Sequence, residues 1–387
     1  MLLFSYYPSD PRPRRAAEAL VSEGMHVELI CLRASKDEPT RETFNGVDIF
    51  RLPLKRRRGG PSAYLVQYSV FILSTFGLLA LRSLSRRFAL VHVHNMPDLL
   101  VFSALVPKVL GAKVVLDLHD PMPELMMTIF GLEATSVAVR LLKRLERWSI
   151  AFADVVFTVN LACKELFASR SCRSDKIQVV MNSPDEAIFA FRSAVPPPME
   201  RPEPFVIMYH GLIAERNGLD LAVRALATAR ESVPGAELRI YGDSTPFLEV
   251  VMDTIRRTGV QDAVRYFGRK DLEDIVAAID ECDVGIIPNR RTIFTEINTP
   301  TRIFEYLSRG KPVITGRAVG VQHYFAADAL FYFELGDAAD LARGIAHVFS
   351  HPEDVVRVVE RGQLVYGTHR WSEERKVLVS RIADLLI

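Results

Sequence analysis

Apolar residues in the first half of the chain fall into short β-branched and leucine-rich runs at 2–6, 26–32, 47–51, 90–94, 113–118, 154–159 and 177–181. Several are apolar at consecutive positions, so both faces of the strand would be buried, as in a parallel sheet. Between most of them the apolar residues recur at helical spacing, as at 14–22 and 136–151. Strand–helix alternation of this kind predicts a doubly wound α/β domain. The pattern breaks at 196–204, where PPPMERPEP forms neither a helix nor an inner strand and reads as an interdomain linker.

The alternation then restarts. Strands are predicted at 205–209, 237–241, 264–267, 284–287, 312–315 and 330–333. Helices are predicted at 219–231, 246–258, 271–281, 301–309 and 338–349, with a last amphipathic helix at 372–386. The chain thus divides into an N-terminal domain over 1–195, a second over 205–370, and a C-terminal helix over 371–387 expected to return to the first domain.

Length and composition agree. The 387 residues exceed one ordinary core, and 49% hydrophobic with 25% charged residues suits a globular chain. A net charge of +1 gives no pointer to nucleic acid. Cys31, Cys163, Cys172 and Cys282 form no CxxC pair and no zinc spacing, which fits buried thiols in a reducing compartment. The N-terminus MLLFSYYPSDPRPRR lacks the pattern of a signal peptide, so a cytoplasmic location is expected.

Local charge changes the picture in one place. Residues 64–81, YLVQYSVFILSTFGLLAL, are eighteen residues without a charge, flanked by Lys55, Arg56, Arg57 and Arg58 and by Arg82, Arg86 and Arg87. Length permits a membrane span, but such a helix would divide the first domain between its strands. The readings that remain are a buried crossover helix and a helix lying on an anionic membrane.

Neither domain carries GxGxxG or GxxxxGK[ST], which removes most support for a dehydrogenase or a P-loop NTPase. The second domain offers other chemistry. Its first strand ends in His210-Gly211, and Gly218 precedes the helix from Leu219, a ready anion site with Arg216 beside it. In NTPTRIFEYLSRGKPVI, Thr299 or Thr301 is expected to cap a helix that Pro300 helps to start. Ile303, Phe304 and Leu307 would face the core. Glu305 could accept from a ribose diol, and Arg302 could neutralise diphosphate oxygens.

The segments HGLIAERNGLD, IYGD, YFGR, DVGIIP and TPTRIFEYLSRGKPVI resemble the C-terminal half of glycosyltransferase family 4. DPRPRRAAEALVSEGMHVELICL, VHVHNMPDLL and DLHDPMPEL resemble the N-terminal half of one of its subgroups. The resemblance implies the GT-B fold, two Rossmann-like doubly wound domains facing a central cleft. It also implies retaining transfer from a nucleoside diphosphate sugar, without cofactor or metal. On this resemblance Glu305 matches the second glutamate of the family's paired-glutamate motif and binds the donor ribose. Arg216, Gly218 and Arg302 would hold the diphosphate, Glu296 the sugar hydroxyls, and His119 would line the donor sugar.

The chain departs from the family pattern at three positions. The motif's first glutamate falls on Ile297, beside Glu296; the expected phosphate lysine is Asn217; and an arginine expected after the first-strand glycine is Leu212. The expected partners are the donor, an acceptor of polyprenyl- or lipid-linked type, and an anionic membrane at its inner face through 55–87, with no nucleic acid. The alternative from another class is an inactive nucleotide-sugar-binding or scaffold subunit. A nucleotide-sugar epimerase finds no matching constellation in DLHDPMPEL.

Overall fold

The computed structural model of the chain describes residues 1–56, 60–196 and 203–387. Arg57 and Arg58 of the basic run, and residues 197–202 of the proline run, lie outside the described residues. Two compact units are formed, Met1–Asn182 with Glu373–Ile387, and Ser183–Ser372.

The first unit is built on eight strands: β1 Leu2–Tyr6, β2 Val27–Leu32, β3 Arg41–Phe44, β4 Val47–Leu52, β5 Leu90–His94, β6 Lys113–Leu118, β7 Val155–Thr158 and β8 Ile177–Val179. Their order in the sheet is β3-β4-β2-β1-β5-β6-β7-β8. All neighbours are parallel except β3 and β4. That antiparallel edge was not expected from the apolar pattern. It is made by Asn45-Gly46, with φ of 49° and 77°, the paired positive values of a two-residue hairpin turn. The central strands are apolar on both faces, and Leu2, Leu29, Val93, Val114 and Val156 are buried.

The helix Pro61–Ser85 is the crossover from β4 to β5. Its inner stripe of Tyr68, Phe71, Thr75 and Leu79 is buried. Phe4 of β1 meets Tyr68 and Phe71 edge-on, with ring centroids 5.0 and 5.2 Å away. The outer stripe is exposed, and the helix is long and apolar enough to cross a membrane by length and composition alone. The C-terminal helix Trp371–Leu386 joins this unit through Arg375, whose Nη2 meets Glu23 Oε1 at 2.7 Å. Glu374 accepts from the Met181 N–H, also at 2.7 Å.

The second unit carries six strands: β9 Phe205–His210, β10 Ala236–Tyr241, β11 Val264–Gly268, β12 Val284–Ile287, β13 Val313–Gly316 and β14 Phe331–Phe333. Their order is β11-β10-β9-β12-β13-β14, and every pairing is parallel. The chain runs outward from β9 to β11 on one side and from β12 to β14 on the other. The direction therefore reverses between β9 and β12, and a crevice opens at their carboxyl ends. Residues 183–196 belong with this unit, where Arg192 N–H donates to Ser308 O at 2.7 Å.

Candidate active site

In the second unit, the helix Thr301–Ser308 sits over the reversal point. Ile303, Phe304 and Leu307 are buried, each stabilising the unit by about 1.5–3 kcal/mol. Tyr306 is buried as well, and its hydroxyl donates to Met208 O at 3.0 Å. A Cβ at Gly285 of β12 would lie 2.4 Å from the Tyr306 ring, so the bare backbone there lets this helix lie directly on the sheet. Pro300 occupies the N-cap position without a side-chain cap. The expected threonine cap is not formed; Thr299 instead donates its hydroxyl to Gly320 O at 2.7 Å.

This packing brings two of the expected donor residues to the end of β9. Arg302 Nη1 donates to His210 O at 2.7 Å, and its guanidinium lies 5.0 Å from the Tyr209 ring centroid. Glu305 Oε2 stands 3.4 Å from His210 Nε2. Burial, and to a lesser degree Arg302, pushes the His210 pKa down to about 3, so the imidazole is neutral at neutral pH. A neutral ring at this distance is a polar neighbour of the Glu305 carboxylate rather than a cationic one.

Gly218 joins the same edge. Its φ is +62°, and a Cβ there would meet Pro288 O at 1.9 Å. The loop after β9 and the loop after β12 thus touch at a position only glycine fits. Arg216 is in the short turn Glu215–Asn217, with its guanidinium 5.9 Å from the Phe294 ring centroid. Its carbonyl accepts from Arg290 N–H at 2.9 Å. Asn217, at the position of the expected lysine, donates its side-chain amide to Leu212 O at 2.7 Å. Glu296, in the turn Thr295–Ile297, pairs with Arg291.

The first unit gathers a second cluster at its own strand ends. Register places His94 of β5 beside Asp117 of β6. Arg12, on the helix Pro11–Ser22 after β1, donates Nε to Asp117 Oδ2 at 3.0 Å and Nη2 to Oδ1 at 2.7 Å. Its Nη1 donates to Val180 O at 2.8 Å. His94 Nδ1 lies 3.0 Å from His119 Nε2, and His119 N–H donates to Asn95 Oδ1 at 2.7 Å. Burial alone would raise the Asp117 carboxyl, but Arg12 and the histidines hold it well below the usual carboxylate range. Burial lowers His119, and Asp117 partly opposes the shift. His92, His94 and Asp117 bring ligand atoms within 4.8 Å of one another, yet Arg12 already takes the cation's place at both Asp117 oxygens.

Two family models match the chain. Residues 10–183 match a glycosyl transferase 4-like domain, and residues 204–351 match glycosyl transferases group 1. The chain belongs to the family-4-like glycosyltransferases. Among curated relatives of this family member, the glycogen synthase of Mycobacterium tuberculosis is 25% identical over 217 residues, 54% of this chain and 48% of that protein. The chain therefore spans about half the length of the first relative it matches.

Among solved structures, sucrose-phosphate synthase from Thermosynechococcus elongatus superposes with a TM-score of 0.76 at 17% identity, covering 96% of this chain and 92% of that one. Anabaena HepE in complex with UDP-glucose gives 0.71 at 14% identity, covering 99% and 98%. These likenesses show the fold of the glycosyltransferase chain, which is GT-B.

Several neighbours in these clusters escaped the sequence reading. His210 is read in the sequence only as the end of a strand, and its place beside Glu305 and Arg302 has no signal there. Arg12, His94 and Asp117 left a signal: polar residues within otherwise apolar strands, and a DPR segment just after the first.

Proposed function

We propose that the chain moves a glycosyl group from a nucleoside diphosphate sugar to an acceptor hydroxyl with retention of configuration. The observation that carries this reading is the placement of Arg302 and Glu305 together at the end of β9, beside the reversal point of the sheet. The HepE complex, whose ligand is UDP-glucose, supports a donor of this class.

In the reaction the bond from the anomeric carbon to the diphosphate oxygen breaks. A bond forms from that carbon to the acceptor oxygen, on the same face. The acceptor proton passes to the departing diphosphate or to solvent. Negative charge grows on the diphosphate as it leaves. Arg302, Arg216 and the N–H groups where Gly218 leads into the helix Leu219–Ala229 are assigned to stabilise it. These cations replace a divalent ion, and no cofactor is required. Glu305 accepts from the ribose hydroxyls, Glu296 holds sugar hydroxyls, and His119 is assigned to the transferred sugar.

The acceptor is assigned as lipid-linked, in polysaccharide or glycoconjugate assembly. Support comes from the exposed apolar stripe of the helix Pro61–Ser85 and from the exposed Lys55, Arg56 and Arg87 near it, while Arg82 and Arg86 pair with Glu28. The chain would then work in the cytoplasm, against the inner face of the membrane through 55–87.

One observation favours a second reading, an inactive nucleotide-sugar-binding or scaffold subunit. Asn217 stands where the family has a lysine, and its amide is bound to backbone. Thermal shift against UDP-, GDP-, ADP- and TDP-sugars tests donor binding, since a ligand at 100 times its Kd adds about 2.7 kcal/mol. Turnover of the stabilising donor, with product configuration read by NMR, then separates enzyme from binder.

A further inference from the structure

The helix Pro61–Ser85 is not alone in leaving an apolar stripe uncovered. The helix Val137–Phe152 buries Val139, Glu146, Ser149 and Ile150. On its other side Val137, Leu141 and Trp148 are 72%, 50% and 57% exposed. Spacings of four and seven residues keep these three on one face of a helix. Arg140, Arg144 and Arg147 are exposed alongside them. The only acidic residue of this helix, Glu146, is buried and paired with Arg170, so every exposed charge on it is positive.

The two helices cover one side of the first unit. Both are crossovers that run in the same direction along the sheet, from β4 to β5 and from β6 to β7. Right-handed connections in one direction lie on one face. The turn Asp98–Ala104 sits between them. Its Ser103 hydroxyl is 2.9 Å from that of Thr75, and its Phe102 ring is 5.0 Å from that of Phe152. The outer stripes of both helices therefore belong to the same surface.

We propose that the outer stripe of Val137–Phe152 docks on an anionic lipid bilayer, as a second contact beside the helix Pro61–Ser85. The proposal rests on the membrane contact read above for 55–87 and adds an element outside it. Charge complementarity decides for lipid. Although the chain carries a net charge of +1, this helix exposes only cations, which an anionic headgroup layer attracts. Val137 and Leu141 would enter the acyl boundary, and an indole such as Trp148 suits the headgroup level. A second copy of the chain would set two arginine rows against each other.

The chain contains two tryptophans, so Trp371→Phe leaves Trp148 as the only indole. This full-length variant is mixed with phosphatidylglycerol vesicles whose acyl chains are brominated and quench at contact. Trp148 emission should shift to the blue and be quenched, with little change on phosphatidylcholine and reversal at high salt. In the tryptophan-retaining chain, Val137→Ser with Leu141→Ser should lower vesicle partition by on the order of tenfold. Flotation with an unquenched Trp148 and unaltered partition of the serine variant overturns this inference and leaves the contact through 55–87 standing. Failure of the unaltered chain to float overturns both. A blue-shifted Trp148 in a lipid-free dimer, detected by sedimentation, assigns the face to a second copy and overturns the inference alone.

Discussion

Arg302 hydrogen-bonds the carbonyl of His210 through Nη1 at 2.7 Å, joining the first turn of the helix Thr301–Ser308 to the last residue of β9. One donor of the guanidinium is used in this way, and the fork has others for a diphosphate. Lysine would keep the charge and lose the fork. Arg302→Lys should weaken the nucleotide sugar by about tenfold, and Arg302→Ala by about a hundredfold, in a calorimetric titration. Equal affinity in the wild type and the lysine variant would remove the fork from the account.

Gly218→Ala tests, through the melting transition, how the two loops meet. Alanine there must adopt φ of +62° with its Cβ 1.9 Å from Pro288 O, so one of the two loops has to move. The expected cost is about 2–3 kcal/mol, a fall of roughly 5–10 °C in the melting transition of the second unit. A shift below about 1 °C by calorimetry would show that the two loops do not meet as described.

His210 gives a pH dependence with a definite sign. Its folded pKa is about 3, while an unfolded histidine titrates near 6.5. Between those values the unfolded chain holds more protons at this site, so the folded state loses stability as pH falls through about 6.5. The slope is about 1.4 kcal/mol per pH unit for one proton. From pH 7 to pH 5 the wild type should therefore lose about 2 kcal/mol more than His210→Gln in urea unfolding. Parallel pH profiles for the two proteins would contradict the burial of a neutral ring.

In the first unit, His94 sets the orientation of His119 through a 3.0 Å contact between ring nitrogens, with Asp117 3.3 Å from the same His94 nitrogen. His119→Ala should lower kcat by roughly tenfold or more. His94→Gln should lower it less, and both should leave the donor Kd near its wild-type value. Loss of donor affinity with kcat preserved would move His119 from the transferred sugar to the nucleotide.

Much of this architecture is visible in one dimension. Runs such as those of β6 and β12 are apolar at nearly every position because both faces of a central parallel strand are covered, and that pattern has no competing local signal. The edge strand Arg41–Phe44 is polar at three of its four positions, so its apolar pattern is silent, and the local signal of the hairpin, the Asn45-Gly46 turn, went unread. Glu305 and Arg302 stood out because TPTRIFEYLSRGKPVI resembles the family's donor-binding block; the helix pattern alone equally allowed a surface glutamate. Their partner His210 lies more than ninety positions away, and only the pairing of β9 with β12 makes it a neighbour. Glu296 illustrates a further limit, for its carboxylate is paired with Arg291, five residues before it, and sequence does not reveal which charges pair.

The central claim is that the second unit holds a nucleoside diphosphate sugar through Glu305. It is tested most directly by titrating Glu305→Ala and the wild type with the sugar nucleotide that stabilises the wild type in the thermal screen. Loss of hydrogen bonds from a ribose diol to a carboxylate should weaken binding by about ten- to a hundredfold, with the melting transition of the second unit nearly unchanged. Equal donor affinity in the two proteins would contradict the account.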